Sequence, residues 1–363
     1  MALMQRNWDI FCRVIDNYGD IGVCWRLARQ LVKEYGLNVR LWVDEPASLA
    51  LMCQQFNLAL PAQFVDGVEV CHWAAEFPEV KPANVVIEAF ACELPRNYLQ
   101  AMALTEEAPC WINLDYLTAE PWAESCHGMT SPHPALPLVK YFFFPGFTVA
   151  SGGLIREADL RGKRNAFAKK IPGKKQIEIS LFCYESAPVG QLIDLLADSP
   201  LPVLLHLPPG KPFAAVTAYL GGYGPWQLGN LNIVAIPFVH QDQYDQLLWR
   251  CDFNFVRGED SFVRALWAGH PFIWQIYEQE ADAHLIKLNA FLERYTEGLS
   301  KPEASAIHSM FMAWNTGHGL KEAWLQFIDL RGEITDHAEK WSKDLSETPD
   351  LAANLVKFCG NRL

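Results

Sequence analysis

Near the start of the chain, two apolar runs flank a stripe of apolar residues at helical spacing, and this pattern restricts the fold more than any other feature. Residues 8–15 read as a strand. Ile21, Cys24, Trp25, Ala28, Leu31, Val32 and Tyr35 then recur at steps of three and four, which puts them on one face of a helix. Gly36 ends that helix, and residues 39–43 read as the next strand. Strand, helix and strand joined this way make a βαβ unit, which requires a parallel sheet. Further strands are expected at 68–73, 85–90, 111–114 and 141–144. The rhythm returns in the second half, with strands at 177–183, 203–207, 233–236, 252–256 and 272–274. From Ala281 onward the pattern is helical.

The expected fold class is therefore α/β. A chain of 363 residues is too long for one ordinary core, so two doubly wound domains facing a cleft are expected. Arg161, Lys163, Arg164, Lys169, Lys170, Lys174 and Lys175 surround Pro172-Gly173, and this basic, turn-rich stretch marks a linker at 161–175. It reads either as a solvated connection or as a docking surface for an acidic partner or a phosphate. The domains are then 1–160 and 176–345, with 346–363 as a terminal helical segment.

Charge and cysteine usage narrow the function. Thirty basic residues against 42 acidic ones leave a net charge of −12, which disfavours bulk electrostatic binding of nucleic acid. The ten cysteines are scattered and form no CxxC pair or zinc spacing. They read as reduced core thiols, which points to a cytoplasmic protein. Residues 1–9 lack a long apolar region, and no apolar run reaches membrane-spanning length. His72, His206, His240, His270 and His284 show no ligand spacing, so no metal is expected.

Two strand ends carry the candidate chemistry. Arg257-Gly258-Glu259-Asp260-Ser261 falls between an apolar strand and an amphipathic helix, where open α/β sheets bind ligands. Asp260 or Ser261 can cap that helix, whose first N–H groups attract phosphate. Arg257 is a planar cation suited to phosphate, and Glu259 an acceptor for ribose hydroxyls. A nucleotide sugar fits this set; a helix cap with a salt bridge is the plainer alternative. Phe182, Tyr184 and Phe238 lie at other strand ends and can stack on a base or simply pack in the core. Gln241 can bond a base edge or merely begin a helix. In the first half, Asp16-Asn17-Tyr18-Gly19-Asp20 occupies the turn where a Rossmann phosphate loop would sit, without the GxGxxG pattern. Its carboxylates argue against phosphate and suit a cationic substrate. Equally, Asp20 can cap the helix and Asp16 a turn.

Residues 11–22 (Phe11 through Gly22) with Trp25-Arg26-Leu27-Ala28-Arg29 resemble the opening of the bacterial protein-arginine rhamnosyltransferases, the EarP family. Val86-Ile87-Glu88-Ala89-Phe90, Trp111-Ile112-Asn113-Leu114-Asp115-Tyr116-Leu117, Ser180-Leu181-Phe182-Cys183-Tyr184 and Arg257 through Phe262 resemble the same family, in the same order along nearly the whole chain. The resemblance implies a GT-B fold of two Rossmann-like domains, with a C-terminal helix, 346–363, crossing back to the first. It implies transfer of L-rhamnose from dTDP-β-L-rhamnose to an arginine of translation elongation factor P, inverting and metal-independent, with no cofactor beyond the donor. The first domain would take the protein acceptor and the second the donor. Asp20 would be the general base and Asp16 would orient the arginine, with Asn17, Tyr18 and Gly19 in the acceptor loop. Phe182, Tyr184, Phe238 and Gln241 would shape the thymine pocket, while Arg257 and Ser261 hold the diphosphate and Glu259 and Asp260 bind hydroxyls. The competing expectations are an epimerase or small-molecule glycosyltransferase of the same architecture, and a binding module that lost catalysis.

Overall fold

The computed structural model describes residues 6–16, 18–171 and 173–362; Asn17 and Pro172 lie outside the described residues. The chain divides into two compact units. One comprises the chain up to Ala158 together with the stretch from Thr348 onward, and the other is Asp159–Glu347.

The first unit begins with β1 (Asn7–Cys12), α1 (Gly19–Tyr35), β2 (Asn38–Val43) and α2 (Ala47–Met52), followed by β3 (Ala62–Val65), β4 (Val68–His72), β5 (Val85–Ala89) and α3 (Arg96–Ala103). β6 (Cys110–Leu114), α4 (Pro121–Cys126), β7 (Thr130–Pro132) and β8 (Val139–Phe143) complete its sheet. Among the described residues the order is β3-β4-β2-β1-β5-β6-β8-β7, parallel except for the antiparallel pairs β3–β4 and β7–β8. Successive side chains of β1 point to opposite faces. Trp8, Ile10 and Cys12 join a core containing the buried face of α1, whereas Phe11 joins Trp42, Val86, Trp111 and, from α3, Tyr98 and Met102. Strands buried on both faces read as continuous apolar runs, which is why they are visible in the sequence. α1 ends at Gly36, whose φ of 63° favours glycine; its N–H reaches the Val32 carbonyl at 3.0 Å.

The second unit opens with α5 (Leu160–Ala168), β9 (Ile177–Leu181), α6 (Val189–Ala197), β10 (Val203–Leu207) and α7 (Lys211–Leu220). β11 (Trp226–Leu228), β12 (Leu231–Ala235), α8 (Gln241–Arg250), β13 (Phe253–Arg257), α9 (Asp260–Ala268) and β14 (Phe272–Gln275) follow. The sheet order is β11-β12-β10-β9-β13-β14, with only the β11 edge antiparallel among the described pairs. Four helices, α10 (Ala283–Tyr295), α11 (Lys301–Thr316), α12 (Leu320–Asp329) and α13 (Arg331–Leu345), finish the unit. Their rings close its core: Phe255 meets Trp314 at 4.5 Å, and Phe291 stands edge-on to Phe262 at 5.0 Å.

The last helix, α14 (Leu351–Gly360), belongs to the first unit. Asp350 caps it by accepting from the Ala353 N–H at 3.0 Å. Leu351, Ala352, Leu355 and Cys359 enter the same core as β1 and α1.

Several expected boundaries move. The strand expected to reach Ile15 stops at Cys12 because the chain peels away: Val14 N–H goes to Asp44 Oδ1 at 2.9 Å and Ile15 N–H to Asp20 Oδ2 at 2.8 Å. In the stretch expected as a linker, residues 161–168 are helical. They belong to α5, which buries Leu160 and sets Phe167 against Trp249 at 5.7 Å. Its charges are partly matched, Lys163 by Asp159 at 3.0 Å and Lys174 by Asp252 at 3.0 Å. The short edge strands β3, β7 and β11 were not expected at all.

Candidate active site

In each sheet the first strand has neighbours on both sides that the chain reaches by opposite routes. β1 lies between β2 and β5, and β9 between β10 and β13. The crevice at the carboxyl ends of such a strand and its late-arriving neighbour is where doubly wound sheets bind ligands. The Asp16–Asp20 turn follows β1, while Phe182 and Tyr184 follow β9 and Arg257 ends β13, so both candidate clusters fall at these switch points.

In the first unit, Asp20 is the second residue of α1 and only 3% exposed. It does not cap the helix: Tyr18 is the N-cap, and its side chain makes no capping hydrogen bond. Instead Asp20 Oδ2 reaches backwards to accept from Ile15 N–H at 2.8 Å and Asp16 N–H at 2.9 Å. Burial pushes its pKa above the ordinary carboxylate value. The amide donors of Asp16 and Ile15 pull it back, the Asp16 charge adds to the rise, and the Tyr116 side chain opposes it slightly; the net direction is upward. Asp16 is half-buried and its carbonyl accepts from Gly19 N–H at 2.7 Å. A Cβ on Gly19 would lie 2.7 Å from Asp16 Oδ2, so glycine there is what lets this carboxylate pack against the turn. Tyr18 and Gly19 are described; Asn17, the remaining acceptor-loop residue, is outside the described residues.

In the second unit the Arg257 guanidinium, 5% exposed, lies 4.6 Å from the Phe182 ring centre and 4.5 Å from that of Tyr184. Its buried Nη1 has no hydrogen-bond partner among the described residues. The expected capping by Asp260 or Ser261 is not what forms. Glu259 is the N-cap, and its side chain makes no capping hydrogen bond. The Ser261 hydroxyl donates to the Arg257 carbonyl and accepts from its N–H at 3.0 Å, so its single proton is already committed. Asp260 Oδ2 accepts from Gln241 Nε2 at 3.1 Å and Arg264 Nε at 2.9 Å, and Lys287 Nζ lies 3.5 Å from Glu259 Oε1. Asp260 and Gln241 thus bind each other, tying the start of α8 to that of α9. Phe238, 36% exposed, sits in the loop between β12 and α8.

Two neighbours escaped the sequence reading. Tyr277 lies edge-on to Tyr184 at 5.6 Å, and Lys211 Nζ is 5.6 Å from the Tyr184 ring centre. Both follow strands adjacent to β9 or β13, Lys211 after β10 and Tyr277 after the edge strand β14, and scanning the residues past every parallel strand would have found them. Among the described residues no group of three or more His, Cys, Asp or Glu is placed to hold a metal ion. Nor is any helix there long and apolar enough to cross a membrane.

A family model described as elongation factor P (EF-P) rhamnosyltransferase EarP matches residues 8–360. The chain belongs to the EarP family. It is 45% identical over 379 residues to the protein-arginine rhamnosyltransferase of Pseudomonas putida, covering 99% of this chain and 100% of the relative. The Neisseria meningitidis serogroup B protein of the same name is 37% identical over 372 residues, covering 96% of each. A solved structure described as the structural basis for EarP-mediated arginine glycosylation of translation elongation factor EF-P matches with a TM-score of 0.68 and 34% identity, covering 99% of this chain and 100% of that one. The spinosyn rhamnosyltransferase SpnG shares only the fold, at a TM-score of 0.52 and 12% identity. Like these, the EarP-family chain described here has the GT-B pair of parallel-rich sheets.

Proposed function

We propose that this chain transfers L-rhamnose from dTDP-β-L-rhamnose to an arginine side chain of translation elongation factor P, with inversion at the anomeric carbon and without a metal ion. Membership of the EarP family supports the class of reaction. The observation that carries the donor assignment is Arg257. A buried guanidinium against two aromatic rings, its Nη1 without a partner among the described residues, is a group waiting for an anion. The first amides of α9 add a second source of positive potential beside it. Thymine carries no charge, so Phe182, Tyr184 and Phe238 would contribute by stacking, at roughly 1–3 kcal/mol per ring.

The acceptor is a poor nucleophile because a guanidinium stays protonated below about pH 12. Asp20 and Asp16 supply the anionic pocket. Asp20 takes a proton from the arginine nitrogen as that nitrogen bonds to the anomeric carbon. The carbon–oxygen bond to the β-phosphate breaks, and its electron pair leaves on dTDP beside Arg257. Attack opposite the leaving group turns the β-linked donor into an α-linked product. A base whose pKa is raised accepts a proton more readily once ionised, which suits Asp20 to the task. All ten cysteines are free thiols, in keeping with a reducing, cytoplasmic setting.

The test is mass spectrometry of elongation factor P after incubation with the chain and dTDP-β-L-rhamnose, with and without EDTA. A mass gain of one deoxyhexose on an arginine, undiminished by EDTA, is expected. Donor consumed or rearranged with elongation factor P unmodified would instead mark an epimerase or a glycosyltransferase of small molecules.

A further inference from the structure

Past β1, three successive backbone amides are spent on two carboxylates. Val14 N–H goes to Asp44 Oδ1 at 2.9 Å, and the next two, those of Ile15 and Asp16, go to Asp20 Oδ2 at 2.8 and 2.9 Å. Asp44 is the first residue after β2, and β2 pairs in parallel with β1, Val43 opposite Cys12. Its side chain therefore stands beside the point where the chain leaves the sheet for the Asp16–Asp20 turn. The same Oδ1 accepts from Glu45 N–H at 2.8 Å, which holds the carboxylate against its own backbone. Arg13 Nε lies 3.9 Å from Oδ2 on a half-exposed side chain, and so loose an ion pair adds little. Peptide units are rigid planes, so the directions of the Val14 and Ile15 N–H groups are related only by the two backbone dihedrals of Val14. Whatever fixes the first amide thereby restricts the second.

We infer that Asp44 is a positioning residue for the transfer reaction: by holding the Val14 N–H it sets the direction in which the chain leaves β1, and so aims the Ile15 and Asp16 amides that hold the Asp20 carboxylate. Without it, Asp20 would be held by its own turn alone, since both of its amide donors lie within five residues of it. Asp44, thirty residues from Val14, references that turn to the neighbouring strand. A catalytic group misplaced by a fraction of an ångström loses rate without losing the fold, which is what such a link prevents. The inference rests on the reading of Asp20 as the base.

Asp44→Ala removes the acceptor, while Asp44→Asn keeps an oxygen at Oδ1 and deletes only the charge. With elongation factor P as acceptor, kcat of Asp44→Ala is expected to fall about tenfold, the scale of one hydrogen bond, with KM for the donor unchanged. Asp44→Asn should recover most of that rate. Hydrogen exchange read by mass spectrometry should show the Ile15 and Asp16 amides exchanging faster in Asp44→Ala and near the wild-type rate in Asp44→Asn. Asp44→Glu keeps the charge and displaces the oxygen by one methylene. It should behave as Asp44→Ala does, and takes its place if that variant does not fold. Asp20→Asn is measured in parallel. If Asp20→Asn is inactive while Asp44→Ala keeps wild-type kcat, the positioning role is overturned and the base assignment survives. The role is equally overturned if Asp44→Asn loses as much as Asp44→Ala, or if kcat falls while the two amides exchange as in the wild-type protein. If Asp20→Asn turns over at the wild-type rate, the base assignment falls and the positioning role with it.

Discussion

Arg257 places a full charge where solvent scarcely reaches, and a buried charge without compensation is costly. Phe182 and Tyr184 compensate it through the negative faces of their rings. Planarity matters as much as charge here, so Arg257→Lys should be a poor replacement. Calorimetry with dTDP should show affinity lowered at least tenfold in Arg257→Lys, and unchanged affinity would remove Arg257 from the diphosphate site. Asp20 gives a pH prediction. Its pKa is raised from the ordinary aspartate value, chiefly by burial, so with Asp20 as the proposed base kcat should fall with acidification at a pH higher than a solvated aspartate would give. At this scale the sequence made residue types at strand ends legible, because turns after parallel strands are predictable. It did not make pairings legible. That Ser261 turns back on the Arg257 backbone, or that Asp260 holds Gln241, depends on how α8 and α9 meet, and no spacing encodes that.

At the scale of elements, what could be read depended on burial. The central strands were found because they are mostly apolar, as in the wholly buried β5, β6 and β13, whose few polar residues (Glu88, Asn113, Asn254 and Arg257) do not break the runs. β7 and β11, three residues each, show mostly exposed or half-exposed positions and give no such signal. α5 was hidden by its lysines and arginines, since a helix that buries little beyond Leu160 looks like a linker. α14 is the opposite case, an amphipathic helix whose apolar face completes a distant core. Leu355 is fully buried there, so Leu355→Ala should cost about 2–5 kcal/mol, read as an earlier denaturant transition of the first unit.

For the molecule as a whole, acid sensitivity is tied to Glu178 at the start of the second sheet. Burial raises this carboxyl, but Arg250 and His206, with His206 Nε2 at 3.0 Å, more than reverse the effect and leave it below its ordinary value. A depressed acid stabilises the fold above its unfolded-state pKa, and that contribution fades as pH falls through the folded-state pKa. The Tm of Glu178→Gln should therefore lie below that of the wild-type protein at neutral pH, with the gap closing as the solution is acidified past the usual glutamate range. A gap independent of pH would assign the loss to packing instead.

The discontinuity of the first unit has a consequence for synthesis. A ribosome releases its sheet early, yet Leu351, Leu355 and Cys359 emerge only after the whole of Asp159–Glu347. The later-made, contiguous half can thus mature while the earlier-made half still lacks part of its interior, reversing the usual order in which domains fold during translation. Nascent chains halted before Thr348 should carry a protease-resistant second half behind a protease-sensitive first one.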